Sequence, residues 1–403
     1  MLAVNAPLRC VVCGGSDVRT FFDVSSVPTY CNVLWETRRE ALASPRGAIS
    51  LGMCQACGHI FNHAFEPARV AYSVAYENSL HFSQTFEDFA QSLALHLIGR
   101  YDLRNRCVID VGCGKGDFLA TLCELGGNRG WGFDASYSPE GATHSKPESV
   151  TFVREFFSSK HADINADLVC CRHVLEHIED PRGFVREIGR AIRGRPNATV
   201  YFEVPNALFT LRDLGIWDII YEHCSYFTAA SLERLFADAG FNVLDVRETY
   251  HGQFLSLEAR YGEGELPSRA AEKREVAELV VAFEARFREV VSKWSRSLES
   301  WGQSGRSAVV WGGGSKGVTF LNVVGAASGI DRVVDINPRK HGKFVAGTGQ
   351  EVVPPGSLLQ DPPDDVILMN PVYAAEVAET LRSMGLAPEI HTPMPEVLGR
   401  GHR

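Results

Sequence analysis

The sequence predicts an α/β protein in which two strand–glycine loop–helix units follow a small cysteine-rich cap. Three observations carry that expectation. VIDVGCGKGDFL (Val108–Leu119) and AVVWGGGSKGVTFL (Ala308–Leu321) each run from an apolar segment through a glycine-rich turn into a second apolar segment. Two C-x-x-C pairs, Cys10/Cys13 and Cys54/Cys57, stand ahead of both. A chain of 403 residues has room for two or three domains. The boundaries read as a cap over 1–66, a first unit with a helical lead-in over 67–262, a charged helical linker over 263–302, and a second unit over 303–403.

In the cap, each C-x-x-C is followed by glycine, Gly14 and Gly58. Two such knuckles supply four thiolates, and the glycines relieve crowding where the backbone turns toward a metal. This is the donor set of a closed tetrahedral structural zinc site. A segment this short has little core of its own, so a bound metal would help to hold it. With four cysteines in place, His59 and His63 read as ordinary polar residues.

In the first unit, Val108 and Ile109 read as a buried strand that delivers Asp110 to its end, and Gly112, Gly114 and Gly116 follow. Glycine permits a turn that larger side chains block and lets a ligand sit against bare backbone. The dinucleotide pattern is G-x-G-x-x-G, whereas here its third place is Asp117. Asp134 ends the next strand, where an acid can accept ribose hydroxyls. DLVCCRHVLEHIEDP (Asp167–Pro181) gives a further strand, a turn and a helix start. Later strands read as 198–206 and 254–260, with a helix ending at Gly240.

The second unit does satisfy the dinucleotide spacing, through Gly312, Gly314 and Gly317, and Asp335 follows about 20 residues on. A nicotinamide is one reading of that loop. Residues 366–403 leave no room for a dehydrogenase's catalytic domain, so a substrate diphosphate, or a purely structural turn, is the reading preferred here.

The formal net charge of −9 argues against a nucleic-acid or anionic-membrane partner. No segment approaches the ~18–20 apolar residues of a membrane span, and MLAVNAPLRC lacks a signal core. Eleven cysteines, an odd number, fit a reducing compartment. The expectation is a cytoplasmic enzyme with a small-molecule substrate.

The form D-x-G-x-G-x-G resembles the first motif of class I S-adenosylmethionine (SAM)-dependent methyltransferases, and V-L-E-H before D-P resembles their fourth-strand segment. The whole arrangement resembles the sugar C-methyltransferases of bacterial deoxysugar and natural-product pathways. Four ordered features carry it: the cysteine pairs, the 108–119 loop, E-H-x-x-Y-F at Glu222–Phe227, and G-x-x-x-K-G with a later V-D-x-N-P. The resemblance implies a class I SAM-methyltransferase Rossmann-like domain between a zinc-binding domain and a second Rossmann-like domain. Asp110, Gly112, Gly114, Gly116, Asp134 and His173 would serve the cofactor. Members methylate carbon 3 of a nucleotide-linked 4-keto-deoxysugar through an enolate, and motif positions give His223, Glu222, Tyr221 and Tyr76 as active-site residues, Tyr76 from a helix ahead of the SAM domain. Two departures stand out: Tyr221 abuts Glu222 without an intervening residue, and Glu176 occupies a place where the family commonly lacks a glutamate. His177 reads as structural rather than basic. The alternatives are O- or N-methylation of another metabolite and, further off, an NAD(P)-dependent oxidoreductase using 308–335.

Overall fold

The computed structural model describes residues 8–70, 76–138, 147–265, 268–325 and 329–394, which form three sheets. The chain opens with β1 (Val18–Pro28), the short helix α1 (Arg38–Leu42), β2 (Arg46–Cys54) and β3 (Ile60–Asn62), an antiparallel meander. Phe22, Ile49, Leu51 and Met53 make its buried face.

The helical lead-in is shorter than the sequence predicts. Helix α2 runs over Gln84–Tyr101 and begins where the Ser83 side chain accepts a hydrogen bond from Phe86 N–H. Tyr76 therefore lies outside any helix, in an isolated bridge to Val33.

The central unit follows: β4 (Cys107–Val111), α3 (Asp117–Gly126), β5 (Arg129–Phe133), β6 (Val150–Val153), β7 (Leu168–Arg172), α4 (Pro181–Ile192), β8 (Thr199–Pro205) and α5 (Ala207–Leu211). The two-residue strand β9 (Ser225–Tyr226) leaves this unit and pairs with β3, so the first sheet takes its fourth strand from far along the chain. Helix α6 (Ala229–Asp238), β10 (Phe241–Thr249) and β11 (Phe254–Tyr261) close the unit. Its strand order is β10-β11-β8-β7-β4-β5-β6, parallel from β8 to β6 and antiparallel at the other edge. All five residues of β4 are buried, Asp110 included, as expected of a parallel strand covered on both faces.

Helix α7 (Ala270–Gln303) packs Phe283 edge-on against Phe22 and leads to the third sheet. There β12 (Ala308–Trp311), α8 (Ser315–Val324), β13 (Ile330–Val334), β14 (Glu351–Val353), β15 (Asp365–Leu368), α9 (Ala374–Ser383) and β16 (Glu389–His391) form an all-parallel sheet of order β14-β13-β12-β15-β16. In each Rossmann-like unit the strand order reverses beside the first strand, at β4/β7 and at β12/β15. Crevices at the carboxyl ends of such switch points are where ligands bind.

The two crevices face one another. Glu376 on α9 accepts from Ser83 Oγ (2.7 Å), Thr85 N (3.2 Å) and Thr85 Oγ (2.7 Å) at the start of α2. Gln253 and Asn370 exchange amide hydrogen bonds of 3.0 and 3.1 Å, and the Tyr250 hydroxyl donates to that of Tyr373 at 2.7 Å. Behind them the indole N–H of the fully buried Trp217 donates to the Pro393 carbonyl at 2.6 Å. No described helix is long and apolar enough to cross a membrane.

Candidate active site

Between the crevices lies a cavity of about 350 Å³ whose wall runs from Asp110, Gly112 and Gly114 to Gly312, Gly314 and Lys316, with His177 and His223 between. The three glycines of the first loop divide their duties. A Cβ on Gly112 would come within 2.3 Å of Val174 Cγ2, and one on Gly116 within 2.2 Å of the Phe152 ring; both residues sit at positive φ, +71° and +88°. These two let the loop pack on the protein itself. Gly114, at φ +56°, has nothing within 4 Å of its Cβ direction and borders the cavity, so there the backbone is bared for a ligand.

Asp134 sits behind this loop rather than in the cavity wall. Its Oδ2 accepts from Gly114 N at 2.9 Å, and its Oδ1 from Ser136 N and Oγ at 2.7 and 2.6 Å. Asp110 does reach the cavity, and burial pushes its carboxyl up to about 7. This cradle of a bared Gly114 with Asp110 and Asp117 in the wall fits SAM, which is a cation at sulfur and an amino acid at one end.

The carboxyl ends of β7 and β8 add charges that the sequence does not bring together. Glu203 accepts from Arg172 Nε and from His173 Nε2, both at 3.0 Å, and from the Tyr201 hydroxyl at 3.0 Å. Burial opposes ionisation of Glu203, yet Arg172 and His173 outweigh it and hold the carboxyl down to about 2. His173 adopts φ +55° and lines the cavity. Burial opposes its charge too, but Glu176 and Glu203 push its imidazole up to about 9. The Arg172 guanidinium also lies over the Phe118 ring at 4.2 Å.

The residues around Glu222 separate in space. His223 lines the cavity, its ring edge-on to that of His177 at 4.9 Å. Burial first, and His177 second, bring its imidazole down to about 3, so it is neutral at physiological pH. His177 lines the cavity as well; its Nδ1 meets the Glu222 carbonyl at 2.9 Å, a contact only an Nδ1–H can make, so its Nε2 carries a lone pair. Glu222 points away. Its Oε2 accepts from Cys31 N at 2.8 Å, its Oε1 is unmatched, and burial pushes the carboxyl up to about 7. Tyr221 is buried outside the cavity, its hydroxyl accepting from Glu66 N at 2.9 Å and its ring filling the space beside Gly47. Adjacency in sequence does not fix direction, because the chain turns between residues 220 and 224. Tyr76 reaches the wall, where Asn32 Nδ2 donates to its hydroxyl oxygen at 3.0 Å. Tyr226 and Phe227 are core residues, 6% and 0% exposed.

At the far end Asp335 occupies the position of a ribose-binding acid, but three donors of the chain itself take up its carboxylate: Gly313 N (2.8 Å), Asn337 N (2.8 Å) and Lys340 Nζ (3.0 Å). Lys316 on α8 pairs with Asp218 at 2.8 Å at the same wall. Together with the amino end of α8 this is an environment for an anion.

In the cap, Cys10 Sγ lies 3.6 Å from Cys57 Sγ and Cys13 Sγ 3.5 Å from Cys54 Sγ, and all four ligand atoms fall within 4.8 Å of one another. Gly14 and Gly58 have φ +76° and +77°, the positive values the knuckle turns require. Those separations match the edges of a tetrahedron with Zn–S of about 2.3 Å. His63 is a polar residue against Thr20 and Ser50, as expected. His59 is not: it is fully buried between Phe61 and Phe227, with neither ring nitrogen hydrogen-bonded.

Comparison with known proteins agrees with this architecture. A methyltransferase domain family matches residues 82–246, and a C-methyltransferase C-terminal domain family matches residues 268–388. The chain is 24% identical over 400 residues to the C-methyltransferase NovU of Streptomyces niveus, spanning 92% of this chain and 91% of that protein. It is 26% identical over 175 residues to a ubiquinone biosynthesis O-methyltransferase of Neisseria meningitidis serogroup C (39% and 72% of the two chains). Among solved structures, 1,6-didemethyltoxoflavin-N1-methyltransferase of Burkholderia thailandensis is similar at 19% identity, covering 51% of this chain and 96% of that one, with a TM-score of 0.35. The central unit is that of a class I SAM-dependent methyltransferase. The C-terminal domain matches a C-methyltransferase domain family, and the relative matched along nearly the whole chain is a C-methyltransferase.

Proposed function

We propose that this enzyme methylates carbon in a nucleotide-linked 4-keto-deoxysugar. The observation that carries the reading is the single cavity: a cradle for a cationic cofactor at one end, an anion-binding glycine loop at the other, and a neutral histidine between them. When bound, SAM supplies a methyl group on a sulfonium sulfur. The α8 amino end and Lys316 would hold the substrate's diphosphate, which sets the sugar beside His223. A ketone acidifies the neighbouring C–H, and His223 offers a lone pair to take that proton. Asn32 orients the Tyr76 phenol at the wall, where it would donate to the enolate oxygen. Glu222 acts from behind, its carboxylate tying the loop at Cys31 and its carbonyl fixing the His177 tautomer. Zinc held by Cys10, Cys13, Cys54 and Cys57 would staple the cap, and metal analysis of purified protein is expected to return one zinc per chain for this site.

The test is binding of SAM and then of thymidine diphosphate to the full chain, by calorimetry or in a co-crystal. Both bound together, with the diphosphate at Lys316, is the expected result. Binding of SAM without thymidine diphosphate would remove the nucleotide sugar and leave O- or N-methylation of another metabolite as the reading.

A further inference from the structure

Glu176 has a side chain only 2% exposed, yet its Oε2 has no hydrogen-bond partner. The other oxygen stands 3.7 Å from His173 Nδ1 and 3.9 Å from His177 Nε2, ion-pair rather than hydrogen-bond distances. Glu203, one strand away, shows the contrast, with three contacts of 3.0 Å. An under-matched buried carboxylate is costly, and its persistence points to a ligand. Glu176 lines the cavity, and one of its oxygens and a ring nitrogen each of His177 and His223 lie within 4.8 Å of one another.

Base and methyl donor must act on one carbon. That carbon sits about 3 Å from the His223 nitrogen, and the sulfur stands one S–C bond and one forming C–C contact beyond it, so sulfur comes within roughly 8 Å of His223. Glu176 is thus within Coulomb range of both places where positive charge resides.

We propose that Glu176 is the standing counter-charge of the methyl transfer, stabilising the sulfonium of the bound cofactor and then the imidazolium of His223. The proposal rests on the reading of His223 as base. The C–H bond breaks with its proton going to His223 and its electron pair staying on the acceptor as an enolate. That pair forms the new C–CH₃ bond, and the S–CH₃ bond breaks with its pair left on sulfur. Positive charge therefore leaves sulfur and reappears on the imidazole, while the Glu176 carboxylate stays ionised. The groups facing His223 are Glu176, His177 and His173 from the β7 end, Lys316 from α8 with Asp218 paired to it, and the Tyr226 ring. Of these, Glu176 favours the protonated ring, whereas His177, His173 and Lys316 oppose it.

A counter-charge must distinguish SAM from its uncharged product. Calorimetry on the full chain would compare SAM with S-adenosylhomocysteine in wild type, Glu176→Gln and Glu176→Asp. In Glu176→Gln, SAM affinity is expected to fall about tenfold, with S-adenosylhomocysteine held within about twofold and Glu176→Asp restoring most of the preference. An equal loss for both ligands would show a structural role and overturn the proposal, as would no loss for either. Should Glu176→Gln fail to fold, Glu176→Ala takes its place: a loss of SAM affinity with S-adenosylhomocysteine binding kept supports the proposal, and an equal loss for both or no loss overturns it. A second divalent ion per chain, released by either substitution, would make Glu176 a metal ligand and equally overturn it. No acceptor is needed, so these outcomes stand apart from any failure of the sugar reading, which the thymidine diphosphate experiment judges.

Discussion

In the central unit Gly114 N donates to Asp134 Oδ2 at 2.9 Å; in the C-terminal unit Gly313 N donates to Asp335 Oδ2 at 2.8 Å. Each loop is thus closed by the acid at the end of the next strand, and each leads into a ten-residue helix, α3 or α8. The charges around them differ. Asp134 is otherwise satisfied by neutral Ser136, and Asp110, Asp117 and Glu176 share its end of the cavity wall. Asp335 is neutralised by Lys340, and Lys316 stands beside the second loop. On the proposed reading, one backbone device serves a cation at one end and an anion at the other, and side-chain charge rather than loop geometry separates them.

The comparison breaks most sharply at Gly114. Gly114→Val places its side chain in the open space that the first loop bares, and SAM affinity is expected to fall more than ~100-fold by calorimetry, with thymidine diphosphate binding kept. Retained SAM affinity would mean that the cofactor does not use this loop. Next in size is His223→Ala, expected to lower turnover at least ~100-fold with SAM affinity unchanged. Near-normal turnover would move the base to His177. Lys316→Ala tests the anionic end: thymidine diphosphate affinity should weaken about tenfold, and SAM binding should not move. If both ligands weaken together, the ends of the cavity are not independent. The smallest effect belongs to Tyr221→Phe. It removes the hydroxyl's two hydrogen bonds with the Glu66 backbone, from N at 2.9 Å and to O at 3.5 Å, worth about 1 kcal/mol of stability, and turnover per folded molecule should stay within about twofold of wild type; a large loss of turnover would return Tyr221 to the catalytic group.

What could be read from sequence follows the same division. The glycine loops, the acids after them and the cysteine knuckles are legible because backbone geometry or metal chemistry permits few residues at fixed spacing. Direction is not written that way. Tyr221, Glu222 and His223 are consecutive, yet only His223 faces the cavity. Tyr76 looked helical until the Ser83 cap placed the start of α2 after it. The Arg172–His173–Glu176–Glu203 network depends on the ends of β7 and β8 converging, and neither strand's sequence announces the other as its neighbour. A cluster of charges just beyond an apolar strand, as in Arg172-His173, was the available signal for the network. Such charges at the carboxyl end of a parallel strand are poised over the ligand crevice.

The pairing of Ile60 with Tyr226 has a consequence for how the molecule is made. The cap's sheet lacks its last strand until residue 226 leaves the ribosome, roughly 8–30 s of synthesis after its third. Until then β3 presents an unpaired edge to its surroundings. The strand that covers it lies two residues past His223, so shielding of the nascent chain and placement of His223 are one event during translation. Truncating the cap would cost the enzyme its active-site geometry along with a domain.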